Sequence, residues 1–420
     1  MTPRRALRAA SAALSVLTVV SCSTTETGTA VKAADDGGAV VALMDTGGYA
    51  TAAGPPFGAA GDDVAKQNVM EAHRLAEYTV GPWEVDRALT ALPSALEAAR
   101  VAPIITVEDL RRGQIIPAPL IDIAAARGVL GGFTTLRIAP AATGQQRSLQ
   151  TVILRFATPE DAAGAAADMV SAVPPELGVP PGPPQPVANN PDVTALTFKL
   201  PDASTRVIGI SARAQFLVFQ SARVEDGFLG TTADLLVDGA STKQANRLDQ
   251  FSPTAPDKLA ALPMDPTGSL LARTLWSLDG SGPVMYGVWS PQAWLHFELD
   301  PIATAALFKT AGVDAVSQRL TTVYQAGNAD GATRLADGLT EQIAALPHVA
   351  KTAGVQGLPS ATCFKSADGL PATSPMSWQR TQWVAKCVGH VDRYTYTAFS
   401  ADPGDARRQM AAQYRILAGE

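Results

Sequence analysis

The sequence predicts an α+β fold in two weakly repeated domains, each an antiparallel sheet packed with helices, placed after a signal peptide and a flexible tether. Three observations carry that prediction. β-rich runs follow one another across short turns, which favours antiparallel pairing. Helix-start signals fall between groups of strands, whereas a doubly wound sheet would put a helix after every strand. The strand–helix–strand order also occurs twice, with Phe198-Lys199 echoed by Phe364-Lys365 and Ser221-Ala222 by Ser400-Ala401. At 420 residues the chain is long for a single core, so two domains are expected, over residues 39–248 and 249–420.

The chain opens on Arg4, Arg5 and Arg8, followed by an uncharged, mostly apolar run over residues 9–20 and then Ser21-Cys22. A basic end, a short apolar span and a small residue at the cut make residues 1–21 a secretory signal peptide. The apolar run is short of the roughly 20 residues that a spanning helix needs. Cys22 directly follows the cut and is the expected lipid (palmitate) attachment site, which would hold the protein on the extracytoplasmic face of the cell membrane. Residues 22–38 are small and polar with no apolar period, a tether reaching about 20 Å by coil scaling.

The first repeat begins with a strand over residues 149–157. Thr158-Pro159-Glu160-Asp161 then starts a helix, with Thr at the N-cap, Pro at the first helical position and acids at the positive end of the dipole. Strands are expected over residues 194–199, 206–211 and 216–222. Eight prolines between Pro174 and Pro191 stiffen the loop between helix and strands. The second repeat has a strand over residues 320–326, a helix from Asn328, and strands over residues 361–365, 383–390 and 394–401. Asp300-Pro301 and Asp402-Pro403 open two further helices, the former after a strand expected over residues 293–299. The domain boundary is expected within residues 246–265.

The formal net charge is −6, and losing the three leader arginines makes the mature chain more acidic still. Such a chain repels phosphate backbones, and nucleic acid is not an expected partner. Beyond Cys22 there are two cysteines, Cys363 and Cys387, each in a strand-like run. Two cysteines in an exported chain suit one disulfide, worth about 3 kcal/mol in the loop-entropy account; a pair of free buried thiols is the alternative.

The motifs Asp45-Thr-Gly-Gly-Tyr49, Pro55-Pro-Phe-Gly58, Glu71-Ala-His-Arg-Leu-Ala76 and Gly81-Pro-Trp-Glu-Val-Asp86 resemble an uncharacterised family of two-part lipoproteins of mycobacteria, nocardiae and their relatives. Pro119-Leu-Ile-Asp122, Gly132-Phe-Thr-Thr-Leu-Arg137 and residues 156–169 extend the resemblance. His73-Arg74-Leu75-Ala76 departs from the Gln-Arg-Met-Ala that the family leads one to expect. The resemblance implies an actinobacterial envelope protein and transfers no activity.

No catalytic motif is present. The histidines are His73, His296, His348 and His390, and none lies in His-Glu-x-x-His; there is no Gly-x-Ser-x-Gly elbow, phosphate loop or dinucleotide fingerprint. On a strand, His296, Glu298 and Asp300 would share one face, a metal-like pattern, but the favoured reading is an ordinary solvated strand face, so no metal and no cofactor are expected. Trp83 and Glu84, at the head of a helix expected to run through Leu89 and Leu92, are candidate ligand contacts, as are Trp289 and Trp294, although core packing is the commoner fate of a tryptophan cluster. The leading functional expectation is a non-catalytic envelope binding module for a lipid- or glycan-like ligand or a protein partner. An envelope-acting enzyme whose site no motif reveals, and a structural assembly subunit, are the competing readings.

Overall fold

The computed structural model describes residues 38–227, 230–277 and 285–419; Cys22, the leader and nearly all of the tether lie outside the described residues. The first half holds α1 (Val64–Glu77), α2 (Pro82–Val85), β1 (Ala102–Ile104), α3 (Val107–Gly113), α4 (Ala118–Ala126), β2 (Gly131–Ile138), β3 (Arg147–Arg155), α5 (Pro159–Ala172), β4 (Gln185–Val187), β5 (Asn190–Leu200), β6 (Ser204–Arg213), β7 (Phe216–Glu225) and α6 (Ala233–Leu248). The second half holds β8 (Gly287–Trp289), α7 (Pro291–Trp294), α8 (Pro301–Ala311), β9 (Ala315–Gln318), β10 (Thr322–Gln325), α9 (Ala329–Ala344), β11 (Val349–Thr352), β12 (Thr362–Ser366), α10 (Met376–Thr381), β13 (Ala385–Val391), β14 (Tyr394–Ser400) and α11 (Pro403–Ala418).

Each half contributes one seven-stranded antiparallel sheet, ordered β1-β2-β3-β7-β6-β5-β4 and β8-β9-β10-β14-β13-β12-β11. The chain traces the same path through both, with α5 and α9 at one equivalent position and α6 and α11 at another. The internal repeat expected from strand order and residue echoes is thus a repeat of topology. The helix starts follow their local signals: the side chains of Thr158, Asp300, Asn328 and Asp402 each accept a hydrogen bond from the first turn of α5, α8, α9 and α11.

Strand alternation sorts side chains onto two faces. Leu196, Phe198 and Leu200 of β5 join Ala162, Ala165 and Met169 of α5, while Val193 and Ala195 face Leu236 and Val237 of α6. In the second sheet, Leu335 and Leu339 of α9 lie on one side, and Met410 and Tyr414 of α11 on the other. Cys363 and Cys387 are directly opposite across β12 and β13 and form a disulfide within the α11-side core.

One apolar cluster crosses between the halves, joining Leu75, Phe133, Ile153 and Phe216 to Trp289, Trp294, Leu335 and Phe399. The segment ahead of α1 binds the second half: Val40 N–H donates to Gly357 O at 2.7 Å, Gly54 N–H to Ala272 O at 2.9 Å, and Arg408 pairs with Asp45 at 2.9 Å. Returning from α6, the connecting segment is tied to α1, because the buried carboxylate of Glu71 accepts from Thr254 N–H and Oγ1, both at 2.8 Å, and pairs with Arg155 at 3.1 Å.

The polar centre of this seam is Arg137 of β2, whose side chain is wholly buried. Its guanidinium donates to Thr90 O at 2.7 Å, Leu295 O at 3.2 Å, and His296 O and Glu298 O at 2.8 Å each. Removing such a donor strands several buried carbonyls, a cost of about 3–5 kcal/mol. Arg137→Met is therefore expected to lower stability by that amount in urea unfolding, with at most partial recovery in Arg137→Lys, because Nη2 meets the second-half carbonyls while Nη1 meets Thr90 O, and one ammonium cannot serve both.

Candidate functional site

Residues 293–299, expected as a strand, instead complete α7 and a 3-10 turn over Leu295–Phe297. The turn exposes carbonyls that a strand would have paired with a neighbour, and Arg137 supplies their donors. The three residues of the metal-like pattern diverge, with His296 and Glu298 buried in place of solvated and Asp300 partly exposed. His296, fully buried, lies between Thr135 Oγ1 at 3.0 Å and Ala76 O at 3.2 Å. A carbonyl only accepts, so Nε2 carries the proton and Nδ1 accepts from the Thr135 hydroxyl. Glu298 accepts from Trp294 Nε1 at 2.6 Å and Tyr324 OH at 2.7 Å, whereas Asp300 caps α8. No cluster of three metal-ligating side chains occurs among the described residues.

Glu298 is the countercharge for a cationic surround. Burial lowers Arg137 to about 9, Arg380 to about 10 and Lys386 to about 8, and the Glu298 carboxylate opposes that shift in each.

The helix expected through Leu89 and Leu92 ends at Val85. Asp86 turns the chain by accepting from Ala88 N–H at 2.9 Å and pairing with Arg147 at 2.6 Å. Trp83 is buried against His296, ring centroids 5.2 Å apart, with the Arg137 guanidinium 5.4 Å from its ring. Glu84 accepts at 2.8 Å from Gly81 N–H and takes both Arg247 terminal nitrogens at 2.8 and 2.6 Å. Trp294 is buried beside Trp289, ring centroids 6.0 Å apart.

Of the four candidate contact residues, Trp289 reaches an open cleft of about 510 Å³, which Trp83, Glu84 and Trp294 do not line. The cleft lies between α1 and β8. Met70, Leu262, Pro263, Val288 and Trp289 form its apolar surface, with Arg74, Glu77, Thr267 and Asp314 among its polar groups. His73 stacks on Trp289 with ring centroids 3.7 Å apart and planes inclined by 30°. Gly287 makes room for that stack, since a Cβ there would fall 2.3 Å from His73 Cε1. Both ring nitrogens of His73 are buried and, among the described residues, meet no hydrogen-bonding partner of good geometry, the Val288 backbone lying nearby. Sequence reading met His73 only as a variation within a motif, and the one local signal for its role was its place on an amphipathic helix.

Paired halves of like topology, joined along a polar-cored seam with an aromatic cleft beside it, define a two-part α+β protein. Residues 58–264 match the N-terminal part, and residues 270–420 the C-terminal part, of the family described as a domain of unknown function, DUF7373; the chain belongs to that family. No curated protein matches it. Among solved structures, the extracellular domain of PknH from Mycobacterium tuberculosis is similar over 43% of this chain and 97% of its own, at 11% identity and a TM-score of 0.28, a likeness too slight to extend to architecture or role.

Burial holds both His73 and His296 at about 3, against an ordinary value of 6.5. Above that ordinary value neither folded nor unfolded chain protonates them. Below it the unfolded chain takes up protons that the folded chain refuses until about pH 3, so stability falls as pH drops through this window. At pH 5 the loss is about 2 kcal/mol per histidine. Urea midpoints measured from pH 7.5 to 5 are expected to fall accordingly, and His73→Phe to flatten the dependence without abolishing it, since His296 and His390 are lowered by burial as well.

Proposed function

We propose that this chain is an actinobacterial cell-envelope lipoprotein, held by acylated Cys22 on the extracytoplasmic face of the membrane, whose two domains bind a small lipid- or glycan-like ligand without transforming it. The observation that carries the binding reading is the cleft beside His73 and Trp289. It combines an apolar aromatic wall with a few polar groups at its rim, the balance characteristic of small-molecule sites. Export is supported by the disulfide, which persists in an oxidising compartment. Anchoring is supported by the basic–apolar–Cys22 order of the leader. Among the described residues, no helix is long and apolar enough to cross a membrane. The tether over residues 22–38 lets the domains, 39–248 and 249–420, work beside the bilayer.

Two experiments test this reading. Cys22→Ala is expected to move the protein from the membrane fraction to the medium or wash, and continued membrane retention would defeat lipid anchoring at that residue. Mass spectrometry of organic extracts of the purified protein is expected to recover a small molecule that is depleted in Pro266→Trp, a substitution at an exposed position that fills the cleft. Clean extracts from both proteins would remove the small-ligand reading.

A further inference from the structure

The tight turn between β9 and β10 carries Arg319, closed by Arg319 N–H donating to Thr321 O at 3.0 Å. Its guanidinium lies 4.9 Å from the Trp276 ring, 5.5 Å from Phe57 and 5.6 Å from Tyr286. Three aromatic faces fix a cation in position and attract it, but they supply no counterion. Among the described residues the side chain makes one long hydrogen bond, to Thr274 O at 3.4 Å, and its buried Nε meets no partner. Among the described residues no carboxylate pairs with it, in contrast to Arg147, Arg155, Arg206 and Arg247, which each hold one. A half-buried guanidinium with most of its donors unspent is an incomplete ion pair.

A cleft of about 470 Å³ opens beside it, lined in part by Pro55, Pro56, Phe57, Lys66, Met264 and Trp276. Lys66 is a second cation, exposed and loosely paired with Asp63 at 3.6 Å. Among the described residues that line this cleft the charged groups are Lys66 and Arg319, both cationic. The wall is stiff: Pro55-Pro56 restricts the backbone, and Gly54 N–H donating to Ala272 O at 2.9 Å ties that strap to the second half. The site shares no lining residue with the His73 cleft.

We infer that this second cleft binds an oxyanion carried on an apolar or aromatic body, such as a phosphate ester. The Arg319 fork takes the oxyanion with help from Lys66, while Trp276, Phe57 and Met264 pack against the body. A planar fork held by rings suits the bidentate geometry of a phosphate or carboxylate, and little ordering is left to be done on binding. The ligand is either free or the headgroup of a lipid, and the chemistry of recognition is the same.

The test is calorimetric titration of the full-length protein in neutral detergent with phenyl phosphate, inorganic phosphate and phenol at constant ionic strength. Phenyl phosphate is expected to bind about tenfold more tightly than inorganic phosphate, from burial of the ring, and phenol not at all. Arg319→Gln is expected to weaken phenyl phosphate by at least about tenfold. Lys66→Gln, at an exposed position, is expected to weaken it several-fold with an unchanged thermal midpoint, which keeps the test decisive if Arg319→Gln does not fold. The inference is overturned by the absence of saturable heat, by phenol binding as well as its phosphate ester, by equal affinities for phenyl and inorganic phosphate, or by wild-type affinity in Lys66→Gln. Flotation of Cys22→Ala protein with phosphatidylglycerol vesicles, against phosphatidylcholine vesicles, separates the sources. Capture that Lys66→Gln weakens supports a lipid headgroup, and titration without capture supports a free ligand.

Discussion

The structure turns on one buried guanidinium. Arg137 comes from the first sheet and hydrogen-bonds to carbonyls of the second half at Leu295, His296 and Glu298. A charge so far from water survives only where hydrogen-bond acceptors and an opposite charge are near. The backbone of the 3-10 turn provides acceptors and the Glu298 carboxylate provides the charge. The dependence is mutual: without Arg137 the turn would bury unpaired carbonyls, and without the turn Arg137 would be unsatisfied. The aromatic packing of Trp83, Phe133, Trp289, Trp294 and Phe297 closes around this pairing.

The two sheets share a topology but not a role. In the first, the odd-numbered positions Phe133, Thr135 and Arg137 of β2 face the seam, so a sheet face is itself the contact surface. In the second, α7 and the turn after it are the contact surface. This asymmetry leaves α1 and β8 adjacent but incompletely sealed, which is where the His73 cleft opens. The two clefts solve burial in opposite ways. His73 is kept neutral by desolvation against Trp289, whereas Arg319 stays charged among rings that cannot neutralise it. One is suited to apolar contact and the other to an anion.

Much of the fold was legible because its signals are local. The caps at Thr158, Asp300, Asn328 and Asp402, and the alternating runs that became β5, β6, β7, β13 and β14, depend on residues within a few positions of one another. Short strands such as β1, β8 and β9 carry too few residues for a period to register. The stretch from His296 to Asp300 alternates as a half-buried strand would, and it misleads for a tertiary reason: its carbonyls find a better donor in Arg137, more than a hundred residues away, than any neighbouring strand offers. Leu89 and Leu92 likewise sit at helical spacing, but Asp86 is drawn to Arg147 and the helix stops before them.

The α+β class, the repeat of strand order, the starts of α5, α8, α9 and α11 and a pair of cysteines in strand-like runs are all legible in the sequence. Each follows from propensity or spacing, which the chain carries with it wherever it folds. The tertiary fold settles that Trp83 and Trp294 are enclosed in the seam, that His73 meets Trp289 at an open cleft, and that Arg319 lies among aromatic rings beside a second cleft. Those outcomes depend on which distant groups desolvate or neutralise one another, and a sum of long-range pairings is not written in any single stretch of chain.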